Sequence, residues 1–451
     1  MEEQLLHYVW KHKIFPLRQL KTADGKALEV IHPGLHNTSN AGPDFFNAKV
    51  RIDGQLWVGN VEVHLRSSDW FRHHHDTDEA YANVILHVVS KADMQVPLPG
   101  TTDNWIPQLE MPVPESVMNN YTTLSQSDQT PRCRKVIATL PRLLVHSWMS
   151  ALSVERLEER TQQVMERRER CNKDWEHTLF VTLARTFGFG INGDAFEAWA
   201  RAVPLAAAAK HRDDLFQIEA LFFGQAGFLA ADSLREKATP EGREYYAKLQ
   251  REYRYLCQKF SLKPMDSSLW RFLRLRPQNF PSIRIAQLAM LYHKEQINLS
   301  RLISADSIES FRQLLDTQVS PFWQTHYTFS SEESDPSERK LAISSRNLVI
   351  LNTISPILFA YGRYKGDDSL CELAASLLEQ IKAEDNNIVR HWSEAGIHCE
   401  SAADSQALIQ LTRRYCEPRN CLRCRFGYEY IRRTPDFLKE PEEETLSVQS
   451  E

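Results

Sequence analysis

The stretch that most constrains the fold covers residues 42–70, GPDFFNAKVRIDGQLWVGNVEVHLRSSDW. Two runs of alternating apolar and polar residues flank the dipeptide Asp53-Gly54, and this arrangement is a strong signal of a two-residue hairpin turn. The second run has a period of two, so Glu62 and His64 share one strand face. The sequence therefore predicts a β-hairpin that carries a carboxylate and an imidazole on a buried strand.

A carboxylate on such a strand needs a partner, because burying an unpaired charge is costly. Asp44 stands at the head of the first run, so the hairpin is expected to bring it towards Glu62. Two converging carboxylates can hold Mg²⁺ or Mn²⁺, which activates water and neutralises charge on a phosphodiester. We therefore predict a catalytic metal site at Asp44 and Glu62, with His64 orienting or deprotonating the water. The alternative is that Asp44 is a turn residue and Glu62 pairs with Arg51 or Arg66.

The order of elements around the hairpin predicts a mixed sheet. An amphipathic helix is expected at residues 2–13, a short strand at 27–31, and a strand buried on both faces at 84–89. A proline-rich exit at 97–114 ends this α/β domain, which we place at residues 1–130. The chain is predicted to be α+β, because most of the sequence beyond this domain has helical periodicity.

A large all-α domain is predicted for residues 140–415, without a repeat of fixed period. A cysteine-rich metal knot is expected at 416–430, and an acidic tail at 436–451 is expected to be disordered. The apolar fraction of 42% and charged fraction of 25% are ordinary for a globular protein. No apolar run approaches the ~20 residues that span a bilayer, and the N-terminus lacks a signal-peptide core. A cytoplasmic protein without membrane contact is therefore expected, and the sequence leaves its oligomeric state open.

The hairpin residues resemble the PD-(D/E)XK nuclease superfamily, which has the restriction-endonuclease-like fold. Pro43-Asp44 matches its first element, and Glu62-Val63-His64 matches its second. The predicted order of helix, three strands, helix and strand is similar to that fold as well. The resemblance covers roughly residues 1–110. It implies Mg²⁺-dependent cleavage of DNA or RNA, with nucleic acid as the partner.

The second element departs from the superfamily, because His64 stands where a lysine is usual. A lysine would supply a fixed cation, whereas a histidine is neutral near pH 7 unless a carboxylate raises its pKa. Lys49 or Arg66 is a candidate replacement. This departure leaves two alternatives open: a decayed site that binds nucleic acid or a protein partner, and a metal-dependent hydrolase of a small substrate.

The whole chain also resembles an uncharacterised bacterial family carried as a domain of unknown function. The shared features are GPDF, VEVHLRSSDW, VILHVV, RPQNFPSIRIAQLA and the H-x-H-x-x-D-x-x-Y spacing that ends at Tyr81. This resemblance spans most of the chain and implies no activity.

Histidine is concentrated near the N-terminus, where nine of the sixteen residues lie at or before His87. His73 and His75, with Asp78 nearby, have a spacing that suits a transition metal. They equally suit phosphate contact, or a place beside a helix N-terminus. The residues after the Glu62 strand are expected to bind substrate: Arg66, Ser68, His73 and His75.

Three of the eight cysteines crowd into a short C-terminal segment, as Cys416, Cys421 and Cys424. In a reducing compartment this spacing favours metal thiolates. The fourth ligand is predicted to be Cys133, with Cys399 or His398 as the alternative. The occupant is Zn²⁺ or an iron–sulfur cluster, and the latter is implied by the layout in some nucleases of the superfamily. The other interpretation is four unligated thiols.

A basic stretch near residue 275 interleaves arginine with aromatic residues. Arginine with aromatics suits phosphate contact and base stacking, so Arg274 and Arg276 are candidate substrate contacts. The alternative is a helical corner whose arginines pair with nearby acids. The net charge of −5 provides no overall attraction to nucleic acid.

Overall fold

The computed structural model describes residues 2–16, 19–38, 40–98, 104–230, 234 and 238–433. The chain forms two compact units. The sheet unit comprises residues 1–145, 390–397 and 411–451, and the helical unit comprises residues 146–389 and 398–410. The fold combines α-helices and β-strands, with a sheet of parallel and antiparallel strands near the N-terminus and a large helical portion. The acidic tail predicted at 436–451 lies outside the described residues.

The two units do not follow the predicted domain boundaries at the C-terminal end of the described chain. The cysteine-rich segment predicted at 416–430 belongs to the sheet unit, together with residues 390–397. The sheet unit is therefore built from chain segments about 250 residues apart in sequence, a distance at which local periodicity carries no signal.

The sheet has seven strands: β1 (Leu20–Lys21), β2 (Ala27–His32), β3 (Leu35–His36), β4 (Phe45–Ile52), β5 (Gln55–Arg66), β6 (Val84–Lys91) and β7 (Gln108–Glu110). The hydrogen-bonded order is β1-β2-β4-β5-β6-β7, and β3 pairs with β4. The pairs from β1 to β5 are antiparallel, whereas β5-β6 and β6-β7 are parallel. The predicted mixed sheet is confirmed.

The central hairpin joins β4 and β5 through Asp53 and Gly54. Both residues have positive φ, 46° and 82°, which is the backbone of a type I′ turn and explains the Asp-Gly pair. Beyond the turn, every residue of β5 from Val61 to His64 is buried. Both faces of β5 are therefore covered where Glu62 and His64 lie.

The strand β7 corrects the predicted proline-rich exit at 97–114. It pairs with β6 at the edge of the sheet, His87 opposite Gln108. The prediction was wrong because a three-residue strand between Pro107 and Pro112 has no detectable alternation.

Twenty α-helices occur in the described residues. They are α1 (Glu3–His12), α2 (Asp69–Arg72), α3 (Glu115–Gln126), α4 (Arg134–Ile137), α5 (Arg142–Arg170), α6 (Trp175–Phe187), α7 (Gly193–Ala202), α8 (Leu205–Ala209), α9 (Leu215–Gln225), α10 (Pro240–Phe260), α11 (Pro281–His293), α12 (Leu299–Ser304), α13 (Ile308–Leu314), α14 (Pro321–Thr325), α15 (Ile343–Val349), α16 (Ser355–Lys365), α17 (Asp368–Glu379), α18 (Asn387–Glu394), α19 (Ala402–Leu411) and α20 (Arg425–Ile431).

The predicted N-terminal helix is confirmed as α1, which packs against β5 and buries Leu5, Leu6 and Val9. In the helical unit one large apolar core extends from Leu157 to Ala402. The segment Ile343–Lys365 is the one described helical stretch long and apolar enough to cross a membrane, and 61% of its most apolar window is buried in the protein. Core helices have the same composition.

The core of the helical unit contains a buried acid, Glu219 on α9, which is 1% exposed. Ser320 Oγ donates to Glu219 Oε1 over 2.7 Å, and the Tyr245 hydroxyl donates to Oε2. Burial raises the pKa of Glu219 from 4.5 to about 7, because the charged form loses its hydration. Glu219 therefore keeps its proton in the native state at a pH where the unfolded chain has released it.

This difference makes stability depend on pH. Between pH 4.5 and about 7 the unfolded state loses a proton that the native state retains, so the free energy of unfolding falls as pH rises and levels off above this window. Glu219→Gln removes this contribution. Urea unfolding measures the free energy of unfolding of both proteins. The wild-type value minus the Glu219→Gln value should fall by on the order of 3 kcal/mol across the window. Glu244→Gln, at an exposed position of α10, is the control. A difference between wild type and Glu219→Gln that is constant with pH would contradict the prediction.

Candidate metal centre of the sheet unit

Three histidines and Glu62 converge beside β5. One ring nitrogen from each of His64, His73 and His75 lies within 4.8 Å of the other two. Glu62 Oε1 lies 3.3 Å from His75 Nε2 and 3.5 Å from His64 Nε2, and His73 Nδ1 lies 3.1 Å from His64 Nε2. Donor atoms around a tetrahedral metal with bonds of about 2.0–2.1 Å are about 3.3 Å apart. The three histidines are thus within reach of one metal ion, and Glu62 lies beside two of them.

The loop after α2 places two of these histidines. His74 has a φ of 61°, and this left-handed residue separates His73 from His75. The His75 amide donates to Trp70 O over 3.1 Å, and its ring stacks on Tyr81 with the centroids 3.8 Å apart. These contacts fix the loop against the end of β5.

The centre is buried on one side and open on the other. The side chains of His64 and Glu62 are 2% and 6% exposed, and that of His75 is 11% exposed. His73, in contrast, is an exposed residue. Solvent therefore reaches the cluster from the side of His73, which is the arrangement that a reaction centre requires.

A fourth histidine, His87 on β6, orients His64. It is fully buried, and its Nε2 lies 2.9 Å from His64 Nδ1. If His64 Nδ1 donates this bond, the lone pair of Nε2 faces Glu62, His73 and His75. Burial lowers the pKa of His64 to about 2 and that of His87 to about 3, with further lowering by neighbouring histidines. Both rings are neutral, as metal ligation and its support require.

Asp44 lies next to this cluster and is tied to the backbone of β5. Its Oδ2 accepts from the Val63 amide over 3.0 Å, and its own amide donates to Glu62 Oε2 over 3.0 Å. Glu62 therefore presents Oε2 to Asp44 and Oε1 to the histidines. Burial raises the pKa of Glu62 above its ordinary value, against the opposing effect of His75.

His7 on α1 lies beside Asp44. His7 Nε2 lies 3.2 Å from Asp44 Oδ2, although it is not aligned for a hydrogen bond. Burial acts to lower the pKa of His7, but the Asp44 carboxylate and Glu3 outweigh it and raise the pKa. The predicted cations, Lys49 and Arg66, are both exposed.

His7 and His87 were not among the predicted site residues. Each comes to the site from another element, α1 or β6. The available signal for His87 was its position within the apolar run VILHVV, where an imidazole is out of place unless it has a polar partner. No comparable local signal marks His7.

The remaining sheet-unit candidates have other contacts. Ser68 donates from both its amide and its hydroxyl to Asp93 over 3.0 Å. The alternative partner proposed for Glu62, Arg51, instead pairs with Glu29, because the two residues face each other on β4 and β2. That alternative is wrong, and Glu62 has histidine neighbours instead.

The predicted basic stretch lies in the helical unit and is not one surface. Arg274 and Arg276 are exposed, whereas Arg284 is 5% exposed. The guanidinium of Arg284 donates to Gln287 and Asn279 and lies over the Phe189 ring. The stretch is therefore divided between surface arginines and one that holds the fold together.

The four predicted cysteine ligands line one cavity of about 10 Å³: Cys133, Cys416, Cys421 and Cys424. All four belong to the sheet unit, whereas Cys399 and His398 belong to the helical unit. Burial raises the pKa of Cys133 well above that of a free thiol, and the other three thiols raise it further.

A glycine allows the cysteine segment to approach α20. A Cβ atom at Gly427 would lie 2.2 Å from Cys421 O, and backbone cannot yield as a flexible side chain does. A helical glycine without such a neighbour is Gly193, where the nearest atom would be 3.5 Å from the added Cβ.

Gly427→Ala should therefore lower the free energy of unfolding by roughly 1–3 kcal/mol, the range for overpacking. Gly193→Ala is the matched control and should be neutral or stabilising by up to about 1 kcal/mol, because alanine favours a helix. Thermal or urea unfolding of both variants provides the measurement. Equal stability of Gly427→Ala and the wild type would show that Cys421 does not require this close approach.

A scan against protein-family models matches residues 3–387 to the family described as "Protein of unknown function (DUF2851)". This range includes the whole histidine centre and ends before Cys416. Searches of curated proteins and of solved structures gave no match.

Proposed function

We propose that this chain, which belongs to the DUF2851 family, is a metal-dependent hydrolase that cleaves phosphodiester bonds in nucleic acid. The observation that carries the proposal is that ring nitrogens of His64, His73 and His75 lie within 4.8 Å of one another, with Glu62 Oε1 beside His64 and His75. Imidazole nitrogens suit Zn²⁺, whereas Mg²⁺ and Mn²⁺ prefer oxygen ligands. Zn²⁺ therefore suits this donor set better than the Mg²⁺ or Mn²⁺ expected from the sequence at the acidic site.

The arrangement of elements supports a nuclease over other hydrolases. The order of α1, β2, β4, β5, α2 and β6 is similar to the core of the PD-(D/E)XK superfamily. Asp44 precedes β4 and Glu62 lies within β5, as the two motif elements do there. The proposed metal therefore lies at the Glu62–histidine group and not between Asp44 and Glu62, and the resemblance to the superfamily is retained.

Each residue near the centre has a separate role in the proposed reaction. A bound metal would supply activated water and neutralise charge on the phosphate. Glu62, His64, His73 and His75 would hold it, and Asp44 would orient Glu62 through its amide. His7 would carry the positive charge that a lysine usually carries, because its pKa is raised beside Asp44.

A second candidate is a hydrolase of a small substrate. The burial of the ligand side chains favours it. The side chains of Glu62 and His64 are no more than 6% exposed, and a polymer reaches such atoms less easily than a small ester does. The two candidates share the same metal ligands and differ only in the size of the substrate that reaches the metal.

Cleavage assays with His75→Ala test the proposal. Purified protein with Mn²⁺ or Zn²⁺ should cleave single-stranded, duplex or branched DNA or RNA. His75→Ala should lower the rate by more than about 100-fold, since it removes a direct ligand. His74→Asn is the matched control, because asparagine tolerates the positive φ of this exposed neighbour. Its activity should equal that of the wild type.

A small activated phosphodiester, bis(p-nitrophenyl) phosphate, separates the two candidates. Cleavage of this ester without cleavage of any nucleic acid would favour the small-substrate hydrolase. Metal binding without cleavage of either class would favour a decayed site that only binds. Equal rates for wild type and His75→Ala would refute the proposed centre.

His87 is predicted to act as a positioning residue. His87→Phe removes the contact to His64 Nδ1 and should weaken metal affinity by roughly 10–100-fold. His87→Gln should restore part of that affinity, because its side-chain oxygen can accept the same hydrogen bond. Competition with a chromophoric chelator measures both values. Equal affinities for His87→Phe and His87→Gln would indicate that His87 only fills space.

A further inference from the structure

A second group of potential metal ligands lies elsewhere in the sheet unit, among residues that the proposed hydrolase reaction does not use. Cys133 lies immediately before α4, and the other three cysteines lie between residues 412 and 425, so nearly 300 residues separate the two segments. None of the four forms a disulfide bond, and all four line the same cavity. Cys133 and Cys424 are buried, whereas Cys416 and Cys421 are half-buried.

The size of the cavity restricts what it can hold. Its volume is about 10 Å³, close to the ~10–15 Å³ that accommodates a single water molecule. Four cysteine thiols are the donor set of closed structural sites that hold Zn²⁺, and a space for one atom suits a single ion.

The two segments are already aligned by hydrogen bonds that do not involve sulfur. Asn120 Nδ2 on α3 donates to Ile431 O and Arg433 O over 3.1 and 2.8 Å. Arg132, next to Cys133, donates from its guanidinium to Cys416 O over 2.6 Å. These hydrogen bonds fix the two segments beside the cavity, so metal binding need not bring them together.

We propose that Cys133, Cys416, Cys421 and Cys424 bind one structural Zn²⁺ that fastens the C-terminal segment to α3 and α4. The site has four protein ligands, so it leaves no position for a substrate. It is therefore distinct in role from the histidine centre, and it does not depend on the proposed hydrolase activity.

Zinc analysis of the full chain, purified without a metal-affinity step, tests the proposal. Cys133→Ser and Cys424→Ser should each contain one zinc equivalent fewer than the wild type. Cys399→Ser is the matched control, since Cys399 was the alternative fourth ligand, and it should retain the full zinc content. His75→Ala should affect only the metal of the histidine centre, so failure of one centre is distinguishable from failure of the other.

Two measurements on the wild type keep the test decisive if the serine variants fail to fold. Co²⁺ substitution should give the intense thiolate-to-cobalt charge-transfer absorption of a sulfur-ligated site, and His75→Ala should keep it. In the folded protein a thiol reagent should leave the four proposed ligands unmodified until a chelator is added, whereas the buried Cys171 should stay unmodified until a denaturant is added. The proposal is overturned if the four proposed ligands react without chelator, if zinc content is equal in wild type and folded Cys133→Ser, or if the protein contains a coloured iron cluster.

Discussion

The buried carboxylate of Glu62 is the constraint on which the sheet unit depends. A carboxylate in the middle of a central strand loses most of its hydration, and neighbouring polar groups must replace it. One oxygen accepts from the Asp44 amide, and the other faces His64 and His75. Asp44 comes from immediately before β4 and His75 from the loop after α2, so separate parts of the chain bring polar groups to this acid.

The mixed topology of the sheet makes that convergence possible. The antiparallel neighbour β4 begins beside Glu62 and so delivers Asp44, and the parallel neighbour β6 places His87 directly opposite Glu62. A parallel pair needs a crossover connection, and here the crossover is the loop that carries His73 and His75. The histidines are thus located where the chain must leave β5 to return alongside it.

Local patterns predicted the elements, and tertiary contacts decided the site. The hairpin and α1 follow from periodicity and turn chemistry, because their geometry is determined by residues a few positions apart. His7 and His87 reach Asp44 and His64 from separate elements, and no local pattern expresses such an encounter. Likewise β7 is held by pairing with β6, because three residues between prolines have little strand preference of their own.

The cysteine segment shows a different limit. The spacing of its three cysteines marked it as a unit, and the position of Cys133 just after the first domain suggested that residue as the fourth ligand. That pairing would tie the segment back to the first domain, and the segment belongs to the same compact unit as the sheet. Local spacing could not express that residues 390–397 join this unit as well, because hundreds of residues intervene.

The same separation has a consequence for how the protein is made. Asn120 bonds to a carbonyl 313 residues later, so α3 emerges from the ribosome long before its partner has been synthesised. The helical unit lies wholly between these two points and can fold while translation continues. The sheet unit can complete its packing only when nearly the last described residue has appeared.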